Sequence, residues 1–249
     1  MAVRIDSVSE GFYRNTSVPS PENITMACWF MYRGTGDGTW EHCLGHNDGT
    51  GNQYILLYAS STGTPEFSVH TQSGNGTFGP ITQNVWYFCG LSQGTGNLTG
   101  FFAPLGATTL TTQLVTGSGS YTAGEISFGT NVIWTEWCNG RWANLMVWQT
   151  ELTNAELLQQ MQSSVPIVGL SNLWAWYPLW EPNYLIDLSG NGRGLSSVGG
   201  TPLTEDHPPI SWGAPMYTLP AAAGEPSIIL PSRHMPRGIN RGLLRGIRR

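Results

Sequence analysis

Ile24-Thr25-Met26-Ala27-Cys28-Trp29-Phe30-Met31-Tyr32-Arg33 is the stretch on which the fold turns. One alternate set holds Ile24, Met26, Cys28, Phe30 and Tyr32; the other holds Trp29 and Met31 among smaller residues. A strand that is apolar on both faces is a central strand covered on both sides. A sheet with such a centre needs one packed layer above it and another below.

Similar runs recur outward from this segment, separated by clusters of Gly, Asn, Asp and Ser, and read as strands. They are Gly11–Arg14, Ile24–Arg33, Trp40–Gly45, Tyr54–Ala59, Phe67–Thr71, Val85–Ser92, Leu98–Ala103, Thr108–Val115, Glu125–Gly129, Arg141–Trp148 and Leu173–Pro178. Phe67 and Val69 alternate with Glu66, Ser68 and His70, the pattern of a strand with one wet face. Gly34-Thr35-Gly36-Asp37-Gly38, Asn47-Asp48-Gly49 and Ser73-Gly74-Asn75-Gly76 supply the positive-φ positions that hairpin turns require. One helix breaks the pattern. Thr153-Asn154-Ala155-Glu156 is a capping box, Leu152 and Leu157 form the hydrophobic staple across it, and the helix ends near Ser163, ahead of Pro166.

Composition points the same way. The 249 residues include 32 Gly, 16 Pro and 11 Trp, and only 11 % are charged, against roughly 25 % in ordinary globular chains. Coiled coils and helical bundles are excluded, because they need Ala, Glu, Lys and Leu in bulk. Intrinsic disorder is excluded by 11 Trp, 9 Tyr and 8 Phe. The net charge of −5 averages two unlike parts. Residues 1–232 hold five Arg against sixteen acids, or −11, and residues 233–249 hold six Arg and no acid, or +6. An acidic body with a basic arm is the pattern of a tail that docks on something acidic.

The four cysteines, Cys28, Cys43, Cys89 and Cys138, include no C-x-x-C pair. They read as buried free thiols, with a disulfide as the alternative, and no metal or other cofactor is expected. His42 and His46 stand four apart, but that spacing aligns two ligands only on a helix, and this stretch reads as strand and turn. Gly90-Leu91-Ser92-Gln93-Gly94 matches the nucleophile-elbow pattern without its strand-turn-helix context.

Several of these segments converge on one family. Asn139 to Leu157 resembles the closing strand and short helix of concanavalin A-like, laminin-G-like jelly rolls. Ile24–Arg33 resembles their early core strand, and Asn84-Val85-Trp86-Tyr87-Phe88 another of their strands. Trp174-Ala175-Trp176-Tyr177-Pro178-Leu179-Trp180-Glu181, followed by Asp187-Leu188-Ser189-Gly190-Asn191-Gly192, is similar to their "W-x-L/F-x-E … D-x-S-G-N-G" element. That element commonly opens such domains, whereas here it follows the helix. The resemblance covers residues 11–200 and implies an all-β, two-sheet antiparallel jelly-roll sandwich with one short helix. In this ordering, with a Pro-rich segment after it, the module resembles those of bacteriophage virion structural proteins. It implies a capsid-decoration or tail-associated role in many copies beside the major capsid or other virion proteins, with host-surface glycan binding as the alternative.

The resemblance also admits glycosidases, which need two carboxylates about 5 Å or about 6.5–9.5 Å apart. The relatives carry them as E-x-D-x-E or E-x-D-x-x-E, which this chain lacks, so no catalytic residue and no enzyme activity is expected. Glycan binding uses aromatic faces with polar neighbours, and the candidates are Trp40, Trp134, Trp137, Trp180 and Asp48. A calcium ion of lectin type, at Asp37 or Asp48, is a weaker alternative.

The end of the chain repeats a four-residue unit from Arg233 to Arg249, with Gly238, Gly242 and Gly246 recurring. A helix would carry these glycines and Pro236 in its interior, so an extended arm is expected. At period 2, Arg233, Met235, Arg237, Ile239, Arg241, Leu243, Arg245, Ile247 and Arg249 share one side, with Arg248 beside the last. Seventeen extended residues reach about 56 Å. Arginines alternating with aliphatics suit a groove or sheet edge on a protein neighbour; nucleic acid is disfavoured because it would leave the aliphatics exposed. The organisation expected is a jelly roll over 1–205, a Pro-rich linker over 206–232 and the arm over 233–249. The start of the chain shows no signal-peptide run and no stretch approaches the roughly 20 apolar residues that span a bilayer, so the expected setting is a virion assembled from a cytoplasmic product without a membrane.

Overall fold

In the computed structural model the segment Ile24–Tyr32 is one strand in which all nine residues are buried. The structure describes residues 2–6, 10–20, 22–34, 40–47, 53–60, 64–71, 74–116, 124–130, 136–180, 184–199 and 203–210. These fall in the compact unit Met1–Gly213. Most of the linker and the whole arm, including Arg233, Met235, Arg237, Ile239, Arg241, Leu243, Arg245, Ile247, Arg248 and Arg249, lie outside the described residues.

In chain order the elements are β1 (Ala2–Ile5), β2 (Gly11–Arg14), β3 (Ile24–Tyr32), β4 (Trp40–Asn47), β5 (Gln53–Ser60), β6 (Glu66–Thr71), β7 (Gly74–Pro80), β8 (Trp86–Gly94), β9 (Asn97–Pro104) and β10 (Thr111–Thr116). There follow β11 (Glu125–Phe128), β12 (Gly140–Trp148), α1 (Asn154–Met161), β13 (Leu173–Tyr177), β14 (Ser196–Val198) and β15 (Leu203–Glu205). Among the described residues the strands form two antiparallel sheets. One runs β10-β9-β8-β3-β12-β1-β15, with β13 also pairing β12; the other runs β14-β2-β11-β4-β5-β6-β7.

The two sheets pack face to face as a jelly-roll sandwich. Between them lies an apolar cluster that includes Phe12, Phe30, Phe67, Phe102, Phe128, Trp142 and Tyr177. The indole N–H of Trp142 on β12 donates to the carbonyl of Cys43 on β4 at 3.2 Å, tying one sheet to the other.

The outer face of the eight-stranded sheet is apolar too. Trp29, Phe88, Phe101, Met146 and Trp148 on its strands form a second cluster with Leu152, Leu157, Met161 and Val168, which cover them. The covering layer is α1 and its flanks, held by polar anchors. Thr25 Oγ1 donates to Thr150 O at 2.8 Å and accepts from Leu152 N at 2.9 Å. The capping box forms as read: Glu156 N donates to Thr153 Oγ1, and Thr153 N donates to Glu156 Oε2. Gln160, wholly buried, donates to Val165 O and accepts from Ile167 N, both at 2.8 Å, and so fixes the chain after the helix.

Four strands were not visible in the sequence pattern. β1, β14 and β15 have only three or four residues each. β7 replaces the turn expected at Ser73-Gly74-Asn75-Gly76: Gly74, Asn75 and Gly76 pair with Thr71, His70 and Val69 of β6. Its glycines make close room for neighbours; a Cβ on Gly76 would meet the Gln113 side chain at 2.7 Å. The strand read from Thr108 begins at Thr111. The W-x-L/F-x-E-like segment forms β13, which shares one edge of β12 with β1, so the element enters the sheet in an altered order.

Gly90 faces the backbone of β3, and a Cβ there would fall on the Met26 carbonyl oxygen and 2.6 Å from the Phe101 ring. Gly90→Ala is expected to lower unfolding free energy by about 3 kcal/mol, the upper end for overpacking, because backbone rather than a flexible tip must yield. Gly74→Ala, whose Cβ meets only Val115 Cγ1 at 3.5 Å, should stay within about 0.5 kcal/mol. Urea unfolding of the two variants checks the contrast.

Candidate functional site

The two sheets differ on their outer faces. The eight-stranded sheet is covered by apolar side chains, whereas the described side chains on the outer face of the seven-stranded sheet are largely polar. The register defines it. Phe67 and Val69 of β6 point into the core, so Glu66, Ser68 and His70 stand on the opposite face. Strand pairing then aligns His42, Tyr58, Ser68 and Thr77 in one row and Gly45, Leu56, His70 and Asn75 in the next. A third row aligns Trp40, Ser60, Glu66 and Pro80.

Ser68 organises the β6–β7 part of this face. Its hydroxyl is buried and lies 2.9 Å from His70 Nε2 and 3.4 Å from Thr77 Oγ1. Thr77 and Asn75 are exposed, and His70 and Glu66 are half-buried. Toward β11, His42 Nε2 lies 3.1 Å from Ser127 Oγ, and Asn47 Nδ2 donates to Glu125 Oε1 at 3.2 Å. Burial pushes the Glu125 carboxyl up, against the hydrogen bond from Asn47, which lowers it. The arrangement offers hydroxyl, amide, imidazole and carboxyl groups on a flat strand surface. Such groups can hydrogen-bond a polar ligand.

His42 and His46 do not converge. A β-bulge between His42 and Leu44 leaves Cys43 unpaired with β5. His42 consequently sits in the outer row, while His46 pairs with Ile126, a core residue, and its Nε2 lies 3.0 Å from the Pro19 carbonyl. The G-x-S-x-G pattern lies within β8, where Ser92 Oγ lies 2.9 Å from Thr25 Oγ1. Its glycines have packing reasons: Gly90 faces β3, and Gly94 leaves room for the Glu151 carboxylate.

The D-x-S-G-N-G-like segment is a clasp. Asp187 Oδ1 accepts from Trp176 N and Ser189 N, and Oδ2 accepts from Arg193 N. Asn191 Nδ2 donates to Leu173 O and Trp174 O, and Tyr177 OH donates to Arg193 O at 2.6 Å. Two guanidinium groups, Arg193 at 4.6 Å and Arg14 at 5.8 Å, lie over the Trp174 ring.

Of the aromatic candidates, Trp137 is buried, and its backbone bridges Thr130. Trp180 is half-buried and meets half-buried Trp176 edge-on, with ring centroids 6.3 Å apart. Trp40 starts β4 in the row of Glu66, and its side chain is outside the description; Trp134, Asp37 and Asp48 lie outside the described residues. Of the five candidates, Trp137 and Trp180 are the two whose side chains lie among the described residues. The polar rows were half-legible: the wet face of Phe67–Thr71 was readable, but taking Gly74–Gly76 as a turn hid Asn75 and Thr77.

No family model matches the chain, and no curated protein matches it. Solved structures do. A heptameric pentraxin of the serum amyloid P-like type from Limulus polyphemus matches with a TM-score of 0.52 at 14 % identity, covering 79 % of this chain and 94 % of that one. A Bacteroides ovatus protein assigned as a candidate carbohydrate-binding protein matches with a TM-score of 0.57 at 18 % identity, over 84 % and 62 %. The enzymatically active domain of tailspike protein 2 of bacteriophage CBA120 matches with a TM-score of 0.51 at 13 % identity, over 71 % of this chain and 31 % of that one. The fold they share with this chain is the concanavalin A-like jelly roll.

Burial holds the His46 imidazole down at about 4, against hydrogen bonds from backbone carbonyls that favour its charged form. Between pH 6.5 and 4 the unfolded chain takes up a proton that folded His46 refuses. Stability therefore falls with pH across that window, by at most about 1.4 kcal/mol per pH unit for this residue, and the loss levels off below pH 4. His70 and His207, also held down at about 4 by burial, act in the same direction with less weight because they are part-exposed. His46→Gln should flatten the slope of urea-unfolding free energy between pH 6.5 and 4.5 by about one proton, and an unchanged slope would contradict this assignment.

Proposed function

We propose that the chain is a non-enzymatic, glycan-binding jelly roll whose ligand surface is the polar outer face of the seven-stranded sheet around Glu66, His70, Asn75 and Thr77. The observation that carries this reading is the asymmetry between the two outer faces. One is sealed by apolar cover, and the other presents a hydrogen-bonding surface with Ser68 holding His70 and Thr77 in place. Sugars are recognised by such preset polar groups, and each neutral hydrogen bond contributes on the order of 1 kcal/mol net. The fold shared with a candidate carbohydrate-binding protein supports glycan binding.

A second reading is favoured by a separate observation, the arginine repeat of residues 233–249 beside a body carrying −11. In this reading the chain is a bacteriophage structural protein, present in many copies and anchored to neighbouring virion proteins by its arm. The two are compatible, because a displayed module can be both anchored and ligand-binding.

Full-length protein on a broad glycan array should retain at least one class of glycan. Thr77→Ala and His70→Ala should each weaken that binding up to about tenfold, the equivalent of about 1.4 kcal/mol, and Ser68→Ala should weaken it by disturbing both. No retention across the panel would exclude the glycan reading. Deleting residues 214–249 should abolish co-sedimentation with particles while leaving glycan binding intact; normal incorporation of the truncated chain would exclude the anchoring reading.

A further inference from the structure

We infer that Cys28, Cys43 and Cys89 form a three-sulfur site, inside the sandwich, for a single soft thiophilic cation such as Cu(I) or Cd(II). The three come from three strands and two sheets. Cys28 on β3 and Cys89 on β8 are directly paired across neighbouring strands. Cys43 comes from β4 in the opposite sheet. All three are wholly buried, and their sulfur atoms lie within 4.8 Å of one another.

The convergence depends on a specific backbone feature. Consecutive strand residues point to opposite faces, yet Cys43 and Leu44 both belong to the core cluster. The bulge between His42 and Leu44 permits this by adding one residue to β4, and such bulges re-aim side chains. The inserted residue's carbonyl is held by two donors, Gly129 N at 3.1 Å and the Trp142 indole at 3.2 Å, which fixes the direction of its side chain.

The sulfur separations match what a bound metal requires. With metal–sulfur bonds of about 2.3 Å, as in zinc thiolates, a planar three-sulfur site spaces its sulfurs about 4 Å apart. The observed trio fits that spacing with small adjustment. Structural zinc takes four ligands, and here the surrounding cluster, which includes Met26, Phe30, Leu44 and Leu91, is apolar. Soft ions that accept sulfur-only shells suit the site better.

Ligation sets the binding stoichiometry of protons. Metal ligation takes thiolates, so a divalent ion on all three sulfurs releases three protons to solvent and leaves one net negative charge, which the apolar interior carries at a cost. Because all three sulfurs are sealed from solvent, the ion enters as the chain folds.

The test is to unfold the full chain in urea under reducing, oxygen-free conditions, refold it with one equivalent of Cd(II), and remove free metal. The expected result is one cadmium per chain by elemental analysis, an ultraviolet sulfur-to-cadmium charge-transfer band, a cadmium NMR shift in the three-sulfur range, and a raised thermal midpoint. Cys28→Ala, Cys43→Ala and Cys89→Ala should each lose most of the bound metal with a native circular dichroism spectrum, and Cys138→Ala should keep it. Failure of the wild-type chain to retain cadmium, an NMR shift without sulfur ligation, or full retention by Cys43→Ala would overturn the inference. The NMR shift decides the matter even if an alanine variant does not fold.

Discussion

Burial of β3, β8 and β12 on both faces is the constraint from which the rest of the architecture follows. Every residue of β3 and β8 is buried, and the indoles of Trp29 and Trp148 face away from the inter-sheet core into the second cluster. Each large apolar side chain taken out of water contributes roughly 1.5–3 kcal/mol. Leaving one face of that sheet wet would forfeit this for Trp29, Phe88, Phe101 and Trp148 together. The chain after β12 therefore returns across the sheet as α1 and its flanks. Thr25 is the polar price of that closure, placed so that one hydroxyl satisfies both a carbonyl and an amide of the segment between β12 and α1.

Covering one sheet completely leaves the other as the place where polar chemistry can accumulate. A buried hydroxyl or imidazole costs stability unless it is hydrogen-bonded, and the seven-stranded sheet answers by pairing its polar groups with one another: Ser68 with His70 and Thr77, His42 with Ser127, Asn47 with Glu125. Groups preset in this way lose little freedom when a ligand replaces water. The clasp of Asp187, Asn191 and Arg193 follows a different logic. Its side chains are consumed by backbone amides and carbonyls, so its polar residues serve the loop itself.

Long apolar elements were legible in the sequence because their burial is written as periodicity. Ile24–Tyr32 shows two apolar faces, and the α1 capping box is a local code with a local mechanism. β1, β14 and β15 are too short to carry a period, and they pair with β12, β2 and β1 respectively, far away in the chain. β7 has a single large apolar residue, Phe78, and its glycines are demanded by Gln113 and Phe102 from the other sheet, so local chemistry reads it as a turn. Aromatic residues are expected as sugar platforms, and of these Trp137 is spent on packing. The polar rows come from cross-strand register, which no single segment displays.

The bulge in β4 could not be read from sequence either, and it couples the two features with chemical potential. In a regular strand, His42 would share a face with Leu44 and enter the inter-sheet core, while Cys43 would point outward. One inserted residue reverses both. It delivers His42 to the row of Ser68 and Thr77 and delivers Cys43 to Cys28 and Cys89. The carbonyl it frees accepts from Gly129 N and from the Trp142 indole, the latter a bond between the two sheets at the same point. The polar face and the sulfur cluster are therefore opposite sides of one backbone irregularity, and a change that straightens β4 acts on both at once.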